Sequence, residues 1–543
     1  MTISRFLVIA ALLFIPVQES FSMCTPTVQW IWDGYAQTPG VSVPIGSPLV
    51  VQLTDDNMDG YIDLCDNPDV LITHTGAGGS IVTAFDGETG AAHFDFAVPI
   101  MANSGGVAAG DIDGDGIVEI VAVDSSGERF VAFEHTGSVK WTSQPVLDPT
   151  VIYGGPPGLA DLDQDGEPEI YMAATVMKAD GMFAWQGTAG RGAPLAYFVM
   201  ISHAIDLDAG SPGLELLAGN TLYNAAGGIV WENPAVPDGY TAAGDLDGDG
   251  VPEILLATPA GIYLLNNHGN VLDGPMLPGV NARQPAMADV DGDGLPEAII
   301  VTNTAISAMK WAVDHFETLW SQPTMDTSCC NGASAFDLND DGAQDLIYGD
   351  EEYWYIFDGA SGAVLHQAPY PSWTYLETPV IADIDHDGKT EILISAWQKN
   401  CSVTAYECDT APQARSIWNQ YQYHVTNVRN DGTIPQYEPD PWTGPNSSMA
   451  QVRFPANPYP IPPDLGNTLM ACRTGVDVNM SWISTPGSSS FALFRGTAKG
   501  QWPVLPHQSN LPVPTVTLPD VPRPPDLYFY RVAGVNCIGD EGP

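Results

Sequence analysis

The sequence predicts an all-β protein: a β-propeller of eight blades, with seven as the alternative, followed by a small β-sandwich. Three observations predict it. An acidic, glycine-containing loop recurs between residues 55 and 391, and short apolar runs with turn residues flank each copy in place of helical patterning. After residue 430 the repeat gives way to a Pro-rich stretch and then to a few further strand-like runs.

Length and composition agree with this. A chain of 543 residues exceeds one ordinary core and suits a large repeat domain plus a smaller one. Only 15% of residues are charged, yet the formal net charge is -49, with 17 Lys+Arg against 66 Asp+Glu. That balance argues against nucleic acid or an anionic membrane as partner, and for bound cations. The 55 Gly and 46 Pro favour turn-rich β structure over helices.

The N-terminus carries an address. Arg5 precedes the apolar run "FLVIAALLFIPV", and Ser20 and Ser22 in "QESFS" fit a small-x-small cleavage site, so residues 1–22 read as a signal peptide. The run is shorter than the ~20 residues of a membrane span, and "FSMC" before Cys24 lacks a lipid-attachment pattern. No later segment is apolar for long enough to cross a bilayer, so the expectation is a secreted or cell-surface chain. Eight cysteines suit disulfides, with connectivity left open. If "CSVTAYEC" is one strand, Cys401 and Cys408 lie about 23 Å apart, far beyond bridging distance. No pair has the CxxC spacing of a zinc site.

The recurring loop is seen clearly in "DIDGDGIVEI" from Asp111. Its acids at positions 1, 3 and 5 and Gly at 6 match an EF-hand, but position 12 is Ala122, and "EIVAVD" reads as a strand. The loop therefore belongs in a β-hairpin. Further copies start at Asp55, Asp161, Asp245, Asp289, Asp337 and Asp383, with a degenerate one at Asp206, at a mean step of about 47 residues. That is the length of a four-stranded propeller blade. Runs such as "SVKWTSQP", "GGIVWENP" and "ETLWSQP" end their units alike, while "TVQWIWDG" precedes the first loop as a surplus strand. A ring uses such a strand to close its last blade.

Alternating carboxylates in a tight turn converge on one point, position 7 adds a backbone carbonyl, and an acid at position 9 closes the shell; hard oxygen ligands at this density suit calcium. The candidate ligands are Asp55, Asn57, Asp59, Tyr61 and Asp63; Asp111, Asp113, Asp115, Ile117 and Glu119; and Asp161, Asp163, Asp165, Glu167 and Glu169. The later copies supply Asp245, Asp247, Asp249, Val251 and Glu253; Asp289, Asp291, Asp293, Leu295 and Glu297; Asp337, Asn339, Asp341, Ala343 and Asp345; and Asp383, Asp385, Asp387, Lys389 and Glu391. Two copies differ. The Asp55 copy also carries Asp66 at position 12, as dockerin and EF-type loops do, but the strand-like "DVLITH" follows. In the Asp206 copy, Gly210 stands at position 5 and Glu215 is displaced by one residue. Roughly half of the acidic residues fall within these loops, so bound calcium, about one ion per regular loop, cancels much of the net charge.

These "DxDGDGxxEI" loops in blade-sized units resemble the FG-GAP and VCBS-type repeats of secreted bacterial proteins and of the integrin α-subunit propeller, over roughly residues 50–425. The resemblance implies a calcium-bound β-propeller serving adhesion or the binding of carbohydrate or protein. The integrin FG and GAP landmarks are not evident.

Beyond Glu391, "SIWNQYQYHVTNVRNDGTIP" clusters Trp418, Tyr423 and His424, which either stack on a sugar or pack a terminal strand, packing being favoured. Residues 431–467 read as a Pro-rich linker against the propeller, ending the propeller domain at 430. In 468–543, "DVNMSW", "SFALFRG" and "LYFYRVAGVNC" resemble strands of a fibronectin type III domain, with Trp482 in the core and Tyr530 and Val532 facing inward; the chain stops at Pro543 before an obvious final strand. The sequence thus points to a calcium-stabilised binding or adhesion protein for an extracellular protein or glycan. A polysaccharide-active enzyme similar to rhamnogalacturonan lyases and a structural surface component are the alternatives. "PGLEL" in the Asp206 copy resembles the lyases, and His203 is the one histidine placed suggestively beside a loop. Neither a nucleophile elbow nor HExxH is present.

Overall fold

The computed structural model describes residues 24–34, 46–454 (except 59, 77, 102–105, 148–153, 195–198, 209, 279–282, 328–329, 371, 373–375 and 397–401) and six stretches between 469 and 535. The expected signal peptide lies outside the described residues, as does Asp59.

Among the described residues, eight four-stranded antiparallel sheets follow one another along the chain, and none is itself closed. In chain order they are blades 1 to 8 of a propeller, so the count is eight. Blade 2 is typical, with strands Ala108–Gly110, Glu119–Val123, Phe130–Phe133 and Val139–Thr142. The innermost strand is short, buried and mostly built of small residues, as in "AAG", "GLA" and "AMA". Small side chains let neighbouring inner strands approach, while the outermost strand is half-exposed.

The surplus strand closes the ring. Thr27–Trp32 pairs antiparallel with Ser402–Cys408 and forms the outer strand of blade 8. A disulfide from Cys24 to Cys408 clamps it, with 5.2 Å between Cα atoms and a sequence separation of 384. Closing so long a loop stabilises by about 6 kcal/mol in the chain-entropy account. Cys65 and Cys330 are also in disulfides.

Neighbouring blades interlock through an aromatic on the outer strand of one blade and a glycine in the last turn of the next. Trp30 packs on Gly90, Phe94 on Gly137, Trp141 on Gly181, Trp185 on Gly227, Trp231 on Gly269 and Trp320 on Gly362. Each of these glycines is left-handed, with φ from +67° to +82°. In four of these pairings the indole N–H donates to a backbone carbonyl across the joint: Trp30 to Gly87 (2.7 Å), Trp185 to Ala225 (2.8 Å), Trp231 to Asn267 (2.8 Å) and Trp320 to Gly359 (2.6 Å). The Trp30 pairing joins blade 8 to blade 1.

Inner strands leave unpaired backbone groups facing the axis, and buried groups of this kind need partners. The segment after blade 8 supplies them. Trp418 exchanges backbone hydrogen bonds with Val50 of blade 1, and Asn419 accepts from Ala109 N–H (2.8 Å) and donates to its carbonyl (3.0 Å) in blade 2. Gln420 Oε1 accepts from Leu159 N–H of blade 3 (2.8 Å), and Gln422 reaches His203 of blade 4 and the Thr241 carbonyl of blade 5. Ser448 pairs with Met287 of blade 6, and Gln451 serves Ala335 of blade 7 and Ile381 of blade 8. This segment touches every blade. Trp418 and Tyr423 are buried and stacked on each other at 4.4 Å, so they are packing residues, of the axis and not of a terminal strand as expected, and are not open to a sugar. Residues 431–454, expected to be linker, continue the same seal.

The C-terminal stretches form two three-stranded antiparallel sheets, Met470–Thr474, Asp477–Ser481 and Thr515–Leu518 in one, and Gln508–Leu511, Ser490–Gly496 and Phe529–Val535 in the other. Trp482 is buried between them against Phe491, edge to face at 5.4 Å.

A Cβ at Gly269 would stand 2.5 Å from the Trp231 ring. Gly269→Ala therefore combines a left-handed backbone penalty of about 1–2 kcal/mol with a steric clash. Thermal unfolding should show a loss of at least that size, and an unchanged melting temperature would contradict the interlock.

Candidate metal centres

Each acidic loop joins the first strand of its blade to the second, so the ring repeats one hairpin eight times. The closing acid begins the second strand or lies one residue inside it, as Glu119, Glu169, Glu215, Glu253, Glu297, Asp345 and Glu391 do. One of its oxygens accepts the backbone N–H of the residue after the first Asp, in bonds of 2.9–3.3 Å from Ile112, Leu162, Leu207, Leu246, Val290, Leu338 and Ile384. The first Asp accepts the N–H of the glycine at position 6, as in Asp111 to Gly116 (3.0 Å), Asp161 to Gly166 (2.7 Å), Asp245 to Gly250 (2.9 Å), Asp289 to Gly294 (2.8 Å) and Asp337 to Gly342 (3.0 Å). That glycine has φ between +84° and +94° in every regular copy. Position 4 is left-handed as well, and is filled by Gly114, Gln164, Gly248, Gly292, Asp340 and His386 from blade 2 onward.

The side chains converge as the spacing requires. Carboxylate oxygens of Asp111, Asp113 and Asp115 lie within 4.8 Å of one another, as do those of Asp161, Asp163 and Glu169, of Asp245, Asp247 and Glu253, and of Asp289, Asp291 and Glu297. In the regular copies from blade 2 onward, position 9 is buried and position 1 is buried or half-buried, while position 5 is exposed and position 3 is exposed or half-buried. Burial first, then repulsion from the loop carboxylates, lifts Glu253 to about 7. Burial likewise dominates at Glu119, Glu169 and Glu297, which also stand at about 7, and at Glu391, at about 9. In blade 8, Asp383 Oδ1 and Glu391 Oε1 are buried without a hydrogen-bond partner. Donor chemistry of this kind fits a divalent cation, held by the acids at 1, 3, 5 and 9.

The Asp55 copy departs from the expected register. Val51 pairs with Asp69 as Gly110 pairs with Glu119, and Asp69 accepts Leu53 N–H at 2.9 Å, so Asp69 is the counterpart of the closing glutamates and not Asp63. The loop from Asp55 is an insertion ahead of it. Within the insertion, buried Asp66 accepts Asn57 N–H (3.2 Å) and Asp63 N–H (2.9 Å), and Asp55 accepts Gly60 N–H (2.9 Å). The Asp206 copy keeps the register, Ile205 opposite Glu215, by absorbing its extra residue in the turn. Lys140, Lys178 and Lys310 approach the loops of blades 2, 3 and 6, partners that spacing along the chain did not reveal. His203 is buried, takes part in a hydrogen bond between Nδ1 and Gln422, and is depressed to about 3 by burial and by His424. It is a neutral residue of the axial packing.

The family model described as FG-GAP-like repeat matches residues 111–172 and 245–300, each span holding two of these loops. The chain carries FG-GAP-like repeats. No curated protein matches the sequence. Among solved structures, the V. cholerae biofilm matrix protein Bap1 aligns over 80% of this chain and 100% of its own at 20% identity, with a TM-score of 0.68, which shows a shared fold. A Bacillus licheniformis rhamnogalacturonan lyase PL11 aligns over 73% of this chain and 68% of its own at 18% identity (TM-score 0.38). The rhamnogalacturonan lyase YesW aligns over 75% and 66% at 15% identity (TM-score 0.36).

The raised carboxylates fix the sign of a pH effect. A group with a folded pKa near 7 and an unfolded one near ~4.3 binds its proton more tightly when folded, so metal-free stability falls as pH rises through that window. A bound cation favours the ionised form and opposes the fall. The gain in melting temperature from a divalent cation over chelator should therefore widen between about pH 5 and pH 8, and a gain independent of pH would contradict the assignment.

Proposed function

We propose that this protein is a secreted β-propeller, stabilised by calcium, that binds an extracellular protein or glycan in an adhesive or matrix role. The observation that carries the reading is the recurrence of an oxygen-rich hairpin around the ring, regular in six blades, with a closing acid buried in all eight. Calcium suits six to eight oxygen ligands in flexible geometry, where magnesium retains its waters. The leader-like first 22 residues and the disulfide from Cys24 to Cys408 support an oxidising, extracellular setting. No helix among the described residues is long and apolar enough to cross a membrane. The fold shared with a biofilm matrix protein supports the adhesive reading, and the two C-terminal sheets, with Trp482 between them, support a fibronectin type III-like module.

Calcium here is structural. Each ion pins a hairpin inside a rigid blade and has no movable helix pair on which to act. At millimolar calcium and a dissociation constant of ~10 µM, each filled loop adds roughly 2.7 kcal/mol to stability.

The ligand is tested on a glycan array and on extracellular-matrix polysaccharides, with and without calcium. Saturable, calcium-dependent retention is expected, and absence of binding to glycans and to extracellular proteins alike would contradict the adhesive role. Chelation should lower the melting temperature sharply, and Asp247→Ala with Asp249→Ala should remove part of that shift. Identical melting in chelator and in millimolar calcium would refute the metal reading.

A further inference from the structure

The chain has six lysines, and three of them reach the closing acid of an acidic loop. In blade 2, Lys140 Nζ lies 2.7 Å from Asp113, 3.1 Å from Glu119 and 3.2 Å from Glu134. In blade 6, Lys310 Nζ is 2.5 Å from both Asp291 and Asp293 and 3.6 Å from Glu297. In blade 3, Lys178 Nζ stands 3.6 Å from Glu169, 3.9 Å from Asp163 and 4.0 Å from Asp165. In each case the ammonium sits among the acids of positions 3 and 9, the oxygens a metal ion needs.

Two stations in the blade supply these side chains. Met177 pairs with Ile170 and Met309 with Ala298, so Lys178, just past the end of the third strand, and Lys310, on it, come next, opposite the closing acids Glu169 and Glu297. Lys140 comes from the fourth strand, at the bulge between Val139 and Trp141. Other blades fill these stations differently. Asn266 faces Glu253 in blade 5, and in blade 8 Gln29 occupies the bulge and donates to Asp385 at 2.7 Å. Among the described residues, no lysine or arginine nitrogen lies within 4.0 Å of Asp245, Asp247, Asp249 or Glu253, nor of Asp337, Asn339, Asp341 or Asp345; Arg453 pairs with Asp340 instead. Lys389 of blade 8 is held by Asp387, Glu407 and Asp409, leaving Asp383 Oδ1 and Glu391 Oε1 without a donor.

We propose that Lys140, Lys178 and Lys310 are built-in counter-ions that take the place of calcium in blades 2, 3 and 6, confining the metal to loops without such a lysine, foremost those of Asp245, Asp337 and Asp383. An ammonium and a dication drawn to the same few oxygens repel each other at close range, so one excludes the other. The inference rests on the calcium reading and refines it: the ring has two kinds of blade, one cross-linked by an ion that chelators remove and one by a covalently attached charge that they cannot.

Ions per chain are counted by elemental analysis and by calcium titration of the full chain. The variants are Lys140→Met, Lys178→Met and Lys310→Met, singly and together, and Asn266→Lys. Asn266 occupies the same turn station as Lys178, each with its N–H bonded four residues ahead (Asn266 to Asn270, 2.9 Å; Lys178 to Met182, 2.8 Å), so the turn accepts lysine. Each methionine variant should gain one ion, the triple variant three, and Asn266→Lys should lose one. A wild type that binds calcium alongside a folded triple variant that gains none overturns the inference alone. If the triple variant does not fold, Asn266→Lys decides: an undiminished count overturns the inference and a count lower by one supports it. A wild type that binds no calcium overturns the underlying reading, and the inference with it.

Discussion

Every blade buries a carboxylate at the head of its second strand, and much of the architecture follows from the need to satisfy it. One oxygen is used locally, accepting a backbone N–H from the loop and so fixing where the hairpin turns. The other faces the loop acids, where like charges crowd together at low dielectric. A carboxylate in that position is stable only if it is protonated, paired with a side-chain cation or coordinated to a metal. The chain draws on more than one of these remedies, with lysines in some blades and bare oxygen clusters in others. A polyanion of net charge -49 holds a compact ring because much of that charge is gathered at such points.

The ring imposes two further requirements. Its ends must meet, which the N-terminal strand achieves by pairing into blade 8 under a disulfide. Its axis must be filled, because eight inner strands present backbone groups to the middle. Asn and Gln suit this task, since each amide both donates and accepts, and Asn419, Gln420, Gln422 and Gln451 serve most of the blades between them. The axis is thereby filled by side chains and backbone of this one segment.

Much of this was legible in the sequence because loop spacing and the surplus "TVQWIWDG" are local signals. The register of blade 1 was not, since an inserted loop carries its own regular acids and hides Asp69 behind them. The axial seal was missed because residues that bond to eight different strands show no periodicity, and their Pro-rich continuation has the composition of a linker. Lys140, Lys178 and Lys310 stand about nine to twenty-one residues from the closing acids they approach and reach them through strand pairing and a bulge. The interlocking glycines had a readable signal: Gly90, Gly137, Gly181 and Gly227 each precede an aromatic, Phe94, Trp141, Trp185 or Trp231, by four residues. The glycine receives the preceding blade's ring, and the aromatic reaches the next blade.

The claim that metal ions complete these hairpins is tested most directly by crystals grown in millimolar calcium and measured at a wavelength where calcium scatters anomalously. The account predicts anomalous peaks ~2.3–2.6 Å from the loop oxygens of Asp245, Asp247, Asp249 and Glu253, with counterparts in the Asp337 and Asp383 loops. Well-ordered loops without anomalous density at these points would contradict it.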